Sequence, residues 1–113
     1  MSVSHITTHI LNTATGTPAT SVAVELHTRE GHTWSQIATA TTDTNGRVKD
    51  LGPEKLPTGT YQLRFNTGAY FASINTETFF PEISLTFTLQ HSQDHYHVPL
   101  LLSPFAYSTY RGN

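Results

Sequence analysis

From Ile83 to Leu89 apolar and hydroxyl side chains alternate without a break, Ile83, Leu85, Phe87 and Leu89 against Ser84, Thr86 and Thr88. A period of two puts each set on one face of an extended strand, one face dry and the other wet. The pattern recurs along the chain. Ile6, Thr8 and Ile10 oppose His5, Thr7, His9 and Leu11, and Val22, Val24 and Leu26 oppose Ala23, Glu25 and His27. Tyr61, Leu63 and Phe65 oppose Gln62, Arg64 and Asn66. Further extended runs are expected around Trp34 to Thr41, from His95 to Leu102, and beyond Ser103-Pro104 to about Arg111. Loops and turns separate them: Thr13 to Pro18, Glu30-Gly31-His32, Asp43-Thr44-Asn45-Gly46, and a loop framed by Gly52-Pro53 and Leu56-Pro57-Thr58-Gly59. Gly68 to Ile74 has room for one or two helical turns. Seven or eight short strands with frequent turns predict an all-β fold, a two-sheet antiparallel sandwich, with a small barrel as the alternative. A length of 113 residues fits a single domain over 1–113.

Strand parity also says which residues turn away from the core. Ile6 and Ile10 claim the inner face, so His9 lies on the outer one. Val98, Leu100 and Leu102 form one apolar set, leaving His95, His97, Pro99 and Leu101 opposite. In the closing run, Phe105 and Tyr107 oppose Ala106, Ser108 and Tyr110. An outer surface mixing Leu11 and Leu101 with His and Tyr suits a subunit interface around a polar pocket better than open solvent. Only 12% of residues are charged, which also fits a partly covered surface. A net charge of -2 argues against nucleic acid or an anionic membrane as partner. No cysteine is present, so disulfides and thiolate metal ligands are excluded. His95-Tyr96-His97 has a spacing that can bind zinc, but no third ligand is indicated, and no metal is expected. Arg47, directly after the Asn45-Gly46 turn, reads on its own as a solvated charge. No apolar stretch is long enough to cross a bilayer. With neither a secretory leader pattern at Met1 to His5 nor a Ser-Lys-Leu ending, a cytoplasmic location is expected.

The run from His95 to Gly112, His-Tyr-His-Val-Pro-Leu-Leu-Leu-Ser-Pro-Phe-Ala-Tyr-Ser-Thr-Tyr-Arg-Gly, closely resembles the C-terminal motif of the 5-hydroxyisourate hydrolases, the enzyme branch of the transthyretin-like family. Thr8 to Ala19 resembles their N-terminal motif, and Asn45-Gly46-Arg47 their middle one. The resemblance spans the chain in the family's order. It implies an eight-stranded sandwich with one short helix, a homotetramer built as a dimer of dimers, and active sites in the channel between dimers. It also implies His9, Arg47 and His97 as catalytic residues, with His9, Arg47 and Tyr110 binding substrate. Ser108, on the same outer face, is a possible supporting residue. The family usually ends Tyr-Arg-Gly-Ser, whereas Asn113 follows Gly112 here. Asn can hydrogen-bond but has no hydroxyl, so Asn113 is a supporting residue at most.

The activity so implied is hydrolysis of a small molecule, 5-hydroxyisourate, to 2-oxo-4-hydroxy-4-carboxy-5-ureidoimidazoline in urate degradation, with no cofactor. Opening a ring amide needs an activated water, a charge to meet the carbonyl oxygen, and a proton for the leaving nitrogen. Histidine suits the first and third tasks because its pKa lies near 6.5. Arginine suits the second through its planar fork of donors. Which of His9 and His97 is the base is left open. The alternative is a carrier of hormone-like ligands of the transthyretin type, which shares the Ser-Pro-aromatic-x-Tyr-Ser-Thr run but lacks the His, Arg and Tyr set. An immunoglobulin-like adhesion module would need no such set.

Overall fold

The computed structural model describes residues 3–113, and its strands form two facing sheets. The second-sheet strands are β3 (Ala23–Glu30), β4 (Thr33–Thr41), β6 (Gly59–Phe65) and β7 (Ile83–Leu89), in the order β4-β3-β6-β7. All three of its pairings are antiparallel. The other sheet runs β2-β1-β8-β9, from β1 (Ile6–Asn12), β2 (Thr17–Pro18), β8 (Tyr96–Leu102) and β9 (Tyr107–Thr109). β5 (Arg47–Val48) joins it beside β1. The expected sandwich is therefore present, with one departure in its pairing. β1 and β8 run parallel along their whole length, from Ile6 opposite Tyr96 to Asn12 opposite Leu102. The other edge of β1 is divided between β5, at Thr8 and His9, and β2, at Leu11 and Asn12.

The alternation read from sequence sets the two inner faces. Ile6, Ile10, Leu100 and Leu102 from one sheet meet Val24, Leu26, Leu63, Phe65, Ile83 and Leu89 from the other, all buried in one core. Burying each such side chain contributes about 1.5–3 kcal/mol before the entropy of ordering is counted. The helix α1 (Thr67–Ser73) follows β6 and packs into the same core. Asn66 caps it by accepting from the Ala69 amide, and Tyr70 and Phe71 are its buried face. The Asn12 side chain donates to the Tyr70 hydroxyl at 3.0 Å, which ties the helix to the end of β1.

Two local features differ from the simple period. A bulge interrupts the β3–β4 register between Leu26 and His27. His27, opposite the core-facing Leu26 by parity, is only 6% exposed and sits 2.8 Å from Glu25. The closing strand is also shorter than expected. β9 has three residues, and beyond it a single bridge, His97 to Gly112, carries the pairing on.

Candidate active site

Register converts the parity of single strands into rows across the first sheet. His9 stands opposite Arg47 of β5 on one side and Pro99 of β8 on the other. The neighbouring row on the same face joins Thr7 to His97, and His97 to Gly112. His9, Arg47 and His97 therefore come from three distant segments onto one outward face. The His9 and His97 rings lie 6.5 Å apart between centroids and 26° from parallel. Arg47 is held there by its turn. The Asp43 carboxylate accepts from the amides of Asn45, at 2.8 Å, and Arg47, at 2.9 Å. The Ile10 amide then donates to the Gly46 carbonyl at 2.8 Å, which fastens the turn to β1 one residue from His9. Gly46 has φ +74, and a Cβ there would collide with the Ile10 carbonyl oxygen. The turn thus requires glycine twice over.

A shallow recess of about 220 Å³ opens on this face, lined by Thr7, Arg47, Lys49, His95, His97 and Asn113 among others. His9 adjoins it through His97. The Thr7 hydroxyl lies 2.8 Å from His97 Nδ1 and 3.0 Å from His95 Nε2. Among the described residues, no group of three or more His, Cys, Asp or Glu side chains is arranged to hold a metal.

The electrostatics favour neutral imidazoles. Burial lowers the pKa of His97, and the Arg47 charge, His9 and His95 lower it further. Burial also lowers that of His9, helped by Arg47. A backbone hydrogen bond at Asn45 and the Asp43 charge act in the opposite direction. A neutral imidazole keeps a lone pair free to take a proton from water. Arg47 is exposed and keeps its fork of donors within the same recess. The arrangement sets two imidazoles and a cation on one face, with His97 and Arg47 lining the recess and His9 beside His97.

The remaining expected residues are distributed differently. Asn113 reaches the recess. Ser108 stands opposite Leu101, and the register continued by the His97–Gly112 bridge sets Tyr110 opposite Pro99, in the row of His9. Neither lines the recess of the single chain. Tyr110 is 58% exposed and borders a larger cleft of about 520 Å³, beside Phe87, Tyr96, Val98 and Arg111. Thr7 and Lys49 line the recess without being singled out by the sequence, which marks His95 only as one of two imidazoles at a zinc-binding spacing. Their signal was present in parity, since Thr7 shares a face with His9, and His95 with His97. Cross-strand register was needed to bring them together.

Residues 6–112 match the model of the family described as the HIUase/Transthyretin family. A 5-hydroxyisourate hydrolase of Salmonella dublin is 48% identical over 109 residues, covering 96% of this chain and 80% of its own. The structure of Klebsiella pneumoniae 5-hydroxyisourate hydrolase is similar with a TM-score of 0.84 and 40% identity, covering 96% of this chain and 98% of the other. Sea bream transthyretin in complex with thyroxine is similar with a TM-score of 0.90 and 34% identity, covering 95% and 93%. Backbone shape alone does not separate a hydrolase from a thyroxine-binding protein. Identity favours the first, and the chemistry of the outward face has to decide.

Proposed function

Because the chain belongs to the HIUase/Transthyretin family, we propose that it acts in the manner of the hydrolases and opens the ring of 5-hydroxyisourate by adding water across an amide bond. One observation carries this reading. Two imidazoles with lowered pKa and an arginine share one face, His97 and Arg47 lining a recess and His9 stacked beside His97. A carrier for an apolar ligand gains nothing from this set, whereas a water-activating site requires it. In the step proposed, His97 takes a proton from water as the new carbon–oxygen bond forms at the ring carbonyl. Arg47 stabilises the oxyanion with paired donors. The carbon–nitrogen bond then breaks, and the leaving nitrogen receives a proton from an imidazole. His9 orients the substrate or supplies that proton, and Asn113 supports by hydrogen bonding. No metal or cofactor is required by this chemistry.

The assembly proposed is a dimer of dimers. A recess of about 220 Å³ is small beside the 300 Å³ or more typical of ligand sites, so a second surface is needed to enclose substrate. The same face bears Leu11 and Leu101, only partly buried, with Ser108 and Tyr110 exposed beside them. A facing dimer would cover those leucines and bring Tyr110 and Ser108 to bound substrate, Tyr110 limiting its depth. The urate-degradation role proposed fits a single domain acting in the cytoplasm, and no helix among the described residues is long and apolar enough to cross a membrane.

The test is the decay of freshly generated 5-hydroxyisourate, followed optically with and without protein. Strong acceleration is expected. Decay at the spontaneous rate with folded, tetrameric protein would reject the proposal.

A further inference from the structure

The Thr7 hydroxyl carries one proton between two imidazole nitrogens. Thr7 Oγ1 lies 2.8 Å from His97 Nδ1 and 3.0 Å from His95 Nε2. If the hydroxyl donates to His95, it accepts from His97 Nδ1–H, and His97 Nε2 is left as a bare lone pair. If it donates to His97 instead, Nε2 must carry the proton and cannot act as a base. The two imidazoles therefore meet at a single hydroxyl that can donate to only one of them. Among the described residues His97 Nε2 has no hydrogen-bond partner, so it is the nitrogen available to the recess.

We propose that Thr7 is the positioning residue of the site, holding His97 with Nδ1 protonated and Nε2 free, and that His95 is the group to which the resulting proton is passed. The inference rests on His97 as the base. As Nε2 takes a proton from water, the Nδ1 proton moves to Thr7 Oγ1 and the hydroxyl proton moves to His95 Nε2. His97 is left neutral and His95 becomes the imidazolium. No atom is gained or lost beyond the proton taken from water, and the reverse transfer returns it for the leaving nitrogen. The surroundings favour this direction. His97 is half-buried and faces Arg47 and His9, while Lys49 lines the same recess, so a positive charge retained there is opposed from β1 and β5 alike. His95 is exposed, where water solvates the charge. Thr7 itself is 6% exposed, so solvent does not compete for its hydroxyl.

The experiment compares Thr7→Val, Thr7→Ser, His95→Phe and His97→Asn in the assembled enzyme acting on 5-hydroxyisourate, with the His97 tautomer read from ¹⁵N chemical shifts. Thr7→Val keeps the shape and removes the hydroxyl. It should lower kcat roughly ten- to a hundredfold with KM little changed, the scale of lost outer support to a functional histidine. It should also release His97 from the Nδ1–H tautomer. Thr7→Ser should restore both. His95→Phe, at an exposed position, should slow turnover, because Thr7 then has no imidazole to receive its proton. Native kcat and an unchanged tautomer in Thr7→Val would overturn this inference alone, provided His97→Asn is crippled. A fully active His97→Asn would overturn it together with the site on which it rests. His95→Phe with native turnover would remove His95 from the relay and so refute the proton transfer.

Discussion

Arg47 is asked to do two things, and substitution separates them. Its charge lowers the pKa of both His9 and His97, and its fork of donors is proposed to meet the oxyanion. A base must be neutral, so the rate falls as pH drops through the pKa of the imidazole. With that pKa lowered, the acid limb of the kcat/KM profile should lie below the ordinary value of about 6.5. Arg47→Met should move the limb upward toward that value, besides lowering the rate. Arg47→Lys should keep the limb low yet still lose rate, because an ammonium cannot reproduce a planar pair of donors. Profiles that coincide for all three proteins would refute the electrostatic coupling. His9→Asn should cost turnover by about 10²–10⁴ if its imidazole moves a proton, and a native rate would make it a bystander. Asn113 lines the recess but brings only an amide. Asn113→Ser should be nearly neutral, and a tenfold gain in turnover, about 1.4 kcal/mol of barrier, would show that a hydroxyl is needed there.

At the scale of elements, the Asp43–Arg47 turn is where backbone geometry and chemistry meet. Gly46→Ala places a Cβ against the Ile10 carbonyl at a φ that favours glycine, so turn and strand must part. The variant should be destabilised by more than about 1 kcal/mol and should lose activity beyond the loss of folded protein, since Arg47 moves with the turn. Denaturant unfolding and turnover on the same samples check both. The elements most legible in the sequence are those with their own period: β6 and β7 alternate along their whole length, while in β1, β3 and β8 the apolar core set follows the period but Thr7, His27 and Pro99 on the opposite face are buried as well. β2 and β5, two residues each, have no period to read and exist only because β1 offers them an edge. The parallel β1–β8 pair was equally invisible, because alternation defines faces but says nothing of neighbours. The site followed the same division. Parity put His9 and His97 outward, the family resemblance supplied Arg47, and the link from Thr7 to His95 waited on register.

For the molecule as a whole, the recess proposed to close between dimers makes activity a property of concentration. Dilution below the dissociation range of the tetramer should reduce specific activity in step with its loss by sedimentation, and a fully active isolated dimer would refute closure between dimers. The parallel pairing of β1 with β8 has a further consequence, for synthesis. Thr8 and Val98, hydrogen-bonded neighbours in the sheet, are 90 residues apart in the chain. Loop closure over that distance comes late, whereas β3 with β4 and β6 with β7 can pair over short stretches as they emerge. While a ribosome makes the intervening chain, β1 waits with Ile6 and Ile10 uncovered and its edge toward β8 open, the features that invite association with other nascent chains. The face proposed to carry the chemistry is therefore the last part of the fold to form, and the interval before β8 emerges is when the growing chain is most open to such association.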